Sequence, residues 1–592
     1  MTRRRTALAV TLAVASLAAG SQAADLLPAL GRAEICAGQR DACIAPRDTV
    51  ALHAPPGSAA GVVRLPPGTR SHLYVRLPPA ATLRLEFGGG GLVVSARTDG
   101  AAERELYRAG EGTSQDATVD LGPFSGRIVR LALAAAAEGT GTDVRRALVE
   151  SAADSPRAPR LLDGVPAGRP NVLLYVIDTL RADHLGAYGY ARPTSPRIDE
   201  LARSGVRFTC AVAQSSWTLP SIASILTGRT PAGHGAVGPE TAIGDDVPTL
   251  PEMLRDAGYV TAGFVTNYLG SGVFGLDRGF GTYRFYREEG ERRPSVYLGS
   301  DVLARRVLRW LAHGPREPFF LYVHATDPHF PYRPPPRYAR PFLSAAAAHR
   351  LPSLIEEVRP LHNGHDEWGA RPVSLPTTEV DVRRDAYDGD VRMADAHFGR
   401  IVDALAARGL LDRTLVVLTS DHGEEFLEHG GVAHGQTLYA ESLHVPLVVR
   451  LPGARDGASR HALAQHVDIV PTILDVAGIA PPPGLAGVSL LGARGPAAEA
   501  YAALTLGPFA LDALIGDGWK VIRDRSRRVD RRFEVYETDR DPGDRMDVAA
   551  DAPVLVGYAR SRLQEIAAAP RSGPRVPEDR LEHLRALGYV SR

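Results

Sequence analysis

The sequence predicts an α/β protein with a mostly parallel central sheet flanked by helices, preceded by an antiparallel β-sandwich domain. Three observations carry this reading. Continuous apolar runs of strand length, NVLLYVID, TLVVLTSD and VPLVVRL, suit strands buried on both faces. Between them lie helical stretches with one apolar face, PRIDELARSGV behind Pro196 and FGRIVDALAARG. Ahead of Gly168 the grammar differs: short runs such as SHLYVRL, TLRLEF and RIVRLAL are separated by Gly and Pro turns, the spacing of an antiparallel sandwich.

Taken in chain order, residues 1–23 read as a secretory signal peptide. Arg3, Arg4 and Arg5 precede an apolar run from Ala7 to Ala19, and Ser21 and Ala23 occupy the small-residue positions of a cleavage site. The run is well short of the ~20 residues that cross a bilayer, so no stable membrane span is expected and the destination is secreted or periplasmic. Residues 24–155 form the β-rich accessory domain, 156–168 a linker rich in Pro, Arg and Gly, and 169–592 the domain that carries the chemistry, with a C-terminal subdomain.

Composition narrows the function. Of 592 residues, 44% are hydrophobic and 23% charged, which excludes disorder and fibrous folds. Basic and acidic residues balance at 68 each, so no net charge draws the chain to nucleic acid. Lys520 is the only lysine, which excludes any mechanism needing a lysine pair. Three cysteines make neither a disulfide scaffold nor a four-thiolate metal site. Cys36 and Cys43 are spaced either to close a small loop in an oxidising compartment or to remain two thiols, and Cys210 reads as a small buried residue.

In parallel sheets the reacting groups collect where strands end. Asp178 closes NVLLYVID, Asp421 and His422 close TLVVLTSD, and FFLYVHATDPHFPY delivers Asp327 and His329. Each alone reads as a cap or turn residue. Together they read as a site for a divalent ion, since carboxylate oxygen and imidazole nitrogen suit a hard or borderline cation. QSSWTLPSIASILTG then places Thr218 at the start of a helix, whose unpaired amides and dipole favour an anionic group such as a phosphate or sulfate ester.

At this point the chain resembles the sulfatase family of the alkaline phosphatase superfamily. The resemblance rests on RPNVLLYVIDTLRADHLGAYGY, WTLPSIASILTGRTP, HATDPHFPY, TLVVLTSDHGEEFLEHG, AHGQTLYAESLHVPLVVR, HVDIVPTILDVAG and VYETDRDPGD, in the family's order, from Arg169 onward. It implies an alkaline-phosphatase-like fold. It also implies metal ligation by Asp178, Asp421 and His422, a nucleophile at Thr218 that touches the metal, and contacts from His329 and His434 to the transferred group. Asp327 is a further metal candidate, as in two-metal phosphatases.

The match also breaks in places. The family's C/S-x-P-S-R signature, whose first residue becomes formylglycine, reads Thr218-Leu219-Pro220-Ser221-Ile222 here, so no formylglycine is expected. The lysine-and-histidine motif reads FVTNYLG, leaving Asn267 as a neutral donor, and His434 stands where a later lysine falls. His422 replaces an asparagine common among calcium-binding members, which puts manganese or zinc ahead of calcium or magnesium.

The expectation is an exported, metal-dependent hydrolase that cleaves a phosphate or sulfate ester, of a small molecule or an envelope glycan or lipid, through a threonine nucleophile. Phosphate esters or diesters are slightly ahead of sulfate. The alternatives are a phosphoglycerol- or phosphoethanolamine-type transferase of the cell envelope and a catalytically silent binding protein on the same fold.

Overall fold

The computed structural model describes residues 23–26, 34–37, 43–44, 63–65, 67–136, 141–151, 168–286, 299–363, 375–492, 499–526 and 533–567, with short pieces at 571, 573–578 and 580–582. The expected signal peptide, apart from Ala23, and the linker, apart from Gly168, lie outside these residues. No described helix is long and apolar enough to cross a membrane.

Two compact units divide the chain. The first comprises residues 1–157 with 533–536 and 547–569. Its strands form two antiparallel sheets, one running Ala23–Asp25, Thr142–Ser151, Ala81–Gly89, Gly112–Asp120 and the other including Thr69–Arg76, Ile128–Ala135, Leu92–Arg97, Arg104–Ala109. Side chains along Ala81–Gly89 mostly alternate between buried and less buried, the signature of a sheet with one covered face. The covered faces pool Leu73, Val75, Leu83, Leu85, Leu131 and Leu133 into one core, which is the sandwich arrangement. The C-terminal helix Pro553–Ala567 belongs to this unit and packs on Thr69–Arg76 and Ile128–Ala135. Asp99 caps it, accepting from the amides of Val554 and Leu555 at 2.7 and 2.8 Å. Cys36 stands opposite Cys43 across a strand pair, and their side chains lie outside the described ones.

The second unit is built on an eight-stranded sheet ordered Thr282–Phe285, Val260–Val265, Phe319–Ala325, Asn171–Ile177, Thr414–Ser420, Leu447–Arg450, Val206–Val212, Ala458–Gln465. Every strand runs the same way except Leu447–Arg450, which is antiparallel to both neighbours. The three central strands are buried along their whole length, because helices cover both faces and leave no solvated side to alternate with. The 31-residue helix Thr377–Ala407 lies over one face, pressing Tyr387, Val391, Phe398 and Ile401 into the core with Tyr175 and Leu418. Strands Glu499–Leu506, Phe509–Gly516 and Trp519–Asp524 form a separate antiparallel set. Lys520 there is buried against the Asp544 carboxylate and the Leu438 carbonyl, in a structural pair. Cys210 is a free, half-buried thiol on Val206–Val212, with its acidity lowered by burial.

Candidate active site

The register of the three central strands decides which side chains meet. Ile177 pairs with both Ala325 and Ser420, so Asp178 and Asp421 leave adjacent strands at the same level. His324 pairs with Val176, two residues before Asp178, and side chains two apart in a strand share a face. Asp178, His324 and Asp421 are all fully buried, and each has a ligand atom within 4.8 Å of the others.

The bonding of these groups leaves specific atoms over. Asp421 Oδ1 accepts from the amides of Thr179 and His422 at 3.1 and 2.9 Å, while Oδ2 has no hydrogen-bond partner. Asp178 Oδ2 accepts from Asn267 Nδ2 at 2.5 Å, while Oδ1 has none. Both nitrogens of His324 also lack one. His422 donates from Nδ1 to the Gly423 carbonyl at 2.9 Å. Its Nε2 therefore faces Asp178 Oδ1 at 3.7 Å and Asp421 Oδ2 at 3.5 Å. Buried polar atoms are paired in all but a few cases, so lone pairs orphaned together imply a cation between them. The donor set is oxygen and nitrogen, which fits a divalent ion held by Asp178, Asp421, His324 and His422.

Electrostatics agree. Burial alone would raise Asp178, but the facing His329, His324 and His422 outweigh it and bring its carboxyl down to about 2. Burial, with Asp178 beside it, pushes Asp421 well above the usual carboxylate range. Two such carboxyls ionise together only when a positive charge lies between them.

Thr218 is the first residue of the wholly buried helix Thr218–Thr227, which ends at Gly228 in the left-handed region. Trp217 occupies the N-cap and supplies no side-chain hydrogen bond, so the Thr218 hydroxyl is not spent as a cap. Its Oγ1 lies 3.4 Å from both His422 Nε2 and Asn267 Nδ2. Thr179, directly after Asp178, holds φ at 57°, an unfavourable value for a β-branched residue. The Asp421 carboxylate on its amide and the Tyr387 hydroxyl on its carbonyl hold it there.

Two more imidazoles border the same space. The His434 ring is 4.4 Å from His422 and 4.8 Å from His329, centroid to centroid. His329 Nδ1 faces the Phe330 carbonyl at 2.5 Å, which leaves Nε2 as the nitrogen turned elsewhere, and burial lowers its pKa. His434 Nδ1 faces the buried Glu424 carboxyl at 2.9 Å.

Thus the structure brings Asp178, Thr218, His329, Asp421, His422 and His434 together, with Asn267 as a neutral donor beside them. Asp327 stands apart from the ligand cluster. Its Oδ2 accepts from the amide and hydroxyl of Ser300, so it caps the helix Ser300–Ala312 instead of offering that oxygen to an ion. Two residues went unnoticed in the sequence, His324 and Glu424. The signal for His324 was a histidine inside an otherwise apolar strand, two residues out of step with the Asp beyond the strand end.

A family model described as Sulfatase matches residues 170–479, more than half of the chain. The chain belongs to the sulfatase family. An N-acetylglucosamine-6-O-sulfatase of Bacteroides thetaiotaomicron is 25% identical over 397 residues, covering 54% of this chain and 70% of that protein. The human N-acetylglucosamine-6-sulfatase is 29% identical over 359 residues, covering 53% of this chain and 62% of its own length. Among solved structures, a phosphonate monoester hydrolase of Agrobacterium radiobacter superposes with a TM-score of 0.55 at 24% identity, covering 68% of this chain and 96% of that one, a likeness of fold. This sulfatase-family chain is a sulfatase-like ester hydrolase on an alkaline-phosphatase-like fold, with a candidate divalent-metal site at its strand ends.

Proposed function

We propose that this protein is exported and that it hydrolyses a sulfate or phosphate-type ester in two steps through unmodified Thr218. The observation that carries the reading is the Thr218 hydroxyl. It begins a buried helix, is not used as a cap, and faces the strand-end ligand cluster through His422 at 3.4 Å. Asp178, Asp421, His324 and His422 would hold a divalent ion, with manganese or zinc suited to the imidazole ligands, which would offset negative charge on the ester oxygens and make the Thr218 hydroxyl easier to ionise.

The chain's own groups supply the rest. Thr218 Oγ1 gives up its proton to solvent and bonds to the sulfur or phosphorus, and the bond to the ester oxygen breaks with its electron pair going to that oxygen. His434, held by Glu424 on Nδ1, gives the departing oxygen a proton from Nε2. Water then attacks the same atom, His329 Nε2 takes its proton, and Thr218 leaves and recovers its own from solvent. The first amides of the Thr218 helix and the Asn267 amide group, which reaches Thr218 Oγ1, would donate to the transferred group. Export rests on the charged start, short apolar run and Ser-x-Ala site of residues 1–23.

The test is a panel of sulfate monoesters, phosphate mono- and diesters and phosphonate esters, assayed with manganese, zinc, calcium and magnesium. N-acetylglucosamine 6-sulfate is included because two relatives are named for it. Turnover of one ester class, dependent on added metal, is expected. Silence across the panel with metal bound would turn the reading toward a binding protein.

A further inference from the structure

His434 is delivered by a short hairpin, and both ends of that hairpin belong to the site. Glu425–Phe426 pairs with Val432–Ala433, so Glu424 and His434, the residues just outside the pair, meet at 2.9 Å. The hairpin is strained. Leu427 holds φ at 65° and Ala433 at 68°, left-handed values that glycine takes easily and these residues do not. Such conformations persist only where surrounding contacts enforce them, so whatever holds this hairpin also places His434.

The holding contacts gather at its tip. Glu428 pairs with the buried Arg181 at 2.7 Å, and the Glu428 carbonyl accepts from Arg545. His429 comes next, with its ring stacked on Tyr439 at 3.7 Å, centroid to centroid. Its Nδ1 lies 2.6 Å from Glu441 Oε1, and its Nε2 lies 2.8 Å from the Asp544 carbonyl. A carbonyl only accepts, so Nε2 donates, and the Glu441 carboxylate takes a second N–H from Nδ1. An imidazole that donates on both sides is a cation.

The surroundings suit a cation. Around the ring stand Glu425, Glu428 and Tyr439 of its own loop, Glu441 of the helix Ala440–Leu443, Lys520 of the strand Trp519–Asp524, and Asp544 with Arg545. Lys520 is taken up by the Asp544 carboxylate. Burial alone would lower the His429 pKa from 6.5, but Glu441, the Asp544 carbonyl and Glu425 outweigh it and raise it. Glu425, His429 and Glu441 each bring a ligand atom within 4.8 Å of the others, yet 2.6 Å between Nδ1 and Oε1 leaves room for a proton and nothing larger.

We propose that His429 is a positioning residue: as an imidazolium it clamps the hairpin that aims His434 at the departing oxygen, and loss of its proton to solvent frees the hairpin and slows turnover. The proposal rests on the hydrolase reading above for the task of His434, and the clamp itself does not. A neutral ring keeps one N–H, so a lone pair then faces either the Glu441 or the Asp544 oxygen, and one hold on the strained hairpin is gone. The clamp is whole below pH 6.5 and is lost as pH rises through the raised value.

The test uses the full chain with metal. Hydrogen exchange of residues 427–437, read by mass spectrometry and corrected for its own pH dependence, is followed from about pH 6 to about pH 10. In the wild type this segment is expected to be protected at the acid end and to open as the pH rises. In His429→Gln, which cannot carry the charge, it is expected to be open throughout, with metal content unchanged. Equal protection in the two proteins at every pH, or metal lost from His429→Gln, would overturn the clamp whether or not any ester is cleaved. Glu425→Gln still accepts from the His429 and Gly431 amides but removes a negative charge beside the ring, so the opening should move to lower pH. Its disappearance there would make Glu425 the titrating group and sink the proposal. Turnover of a methyl ester and a 4-nitrophenyl ester of the same transferred group completes the test, because methoxide needs a proton to leave and 4-nitrophenolate does not. In His429→Gln at about pH 6.5, kcat for the methyl ester is expected to fall about tenfold or more, while its KM and the 4-nitrophenyl reaction change less than about threefold. Equal losses on both esters would mean general damage to the site and would overturn the positioning role.

Discussion

Asn267 donates from Nδ2 to Asp178 Oδ2 at 2.5 Å, and the same nitrogen lies 3.4 Å from Thr218 Oγ1. One neutral amide thus engages one oxygen of a candidate metal ligand, leaves the other without a hydrogen bond and reaches the proposed nucleophile. Its own Oδ1 is fixed by the Leu269 amide at 2.9 Å, which sets the direction of the NH₂ group.

Removing that amide should therefore act on geometry before charge. Asn267→Ala is expected to lose roughly 10–100-fold in kcat/KM, the range for groups that orient a metal ligand. Asn267→Asp, which adds a further acidic group beside Asp178, should do worse. Steady-state kinetics at saturating metal would check this. An unchanged kcat/KM in the alanine protein would show that Asp178 needs no such support.

The strand register makes a second prediction, on metal content. His324→Ala should release most of the ion, because its ring shares the face of Asp178 and lies 3.6 and 3.8 Å from the two carboxylates. Asp327→Asn should keep the ion, since its oxygen is spent on Ser300. Elemental analysis of both proteins decides between them. Metal lost from the Asp327 variant and retained in the His324 variant would move the site.

These two residues also show where sequence reading reached its limit. Asp178 and Asp421 were legible because each follows an unbroken apolar strand, and an acid in that position announces a strand end. His324 lies inside its strand, so only the register, which the sequence does not print, reveals that it points at the same space. Asp327 has the right position in the chain and the wrong neighbour: the Ser300 that claims it is 27 residues away at the start of a helix. The parallel sheet was readable from its buried runs. The reversal of Leu447–Arg450 was not, because an apolar strand looks the same in either direction. Nor could the chain order show that Pro553–Ala567 rejoins the β-rich unit.

A third prediction concerns stability against acid. His234 is fully buried, accepts on Nδ1 from the Ala236 amide at 3.1 Å, and faces Ser224 Oγ with Nε2 at 3.1 Å. Protonation would break the first bond, and burial brings the pKa from 6.5 down to about 3. Between those values the unfolded chain binds a proton that the folded chain refuses. The stabilisation is present above pH 6.5 and is lost as pH falls toward 3, by up to ~1.4 kcal/mol per pH unit. Urea midpoints of wild type and His234→Gln between pH 7 and pH 4.5 should converge as the pH drops. Parallel curves would show that another group governs the acid limb.

The last prediction is that Thr218 is the covalent nucleophile without modification. A threonine carries a secondary alcohol, so the oxidation that turns a cysteine or serine into an aldehyde has no counterpart at this position. The hydroxyl already has what an attacking oxygen needs, a helix N-terminus for the anion and a nitrogen of the ligand cluster at 3.4 Å. The rival is direct attack by water, with Thr218 reduced to shaping the site. The two differ in what the side chain must supply. Thr218→Ser keeps an oxygen in place and should retain substantial turnover. Thr218→Ala should lose on the order of a thousandfold or more while still binding metal. A covalent route also predicts a Thr218 adduct heavier by the transferred group, seen by mass spectrometry of protein quenched during turnover. Near-normal activity in the alanine protein at full metal occupancy would leave water as the attacking group.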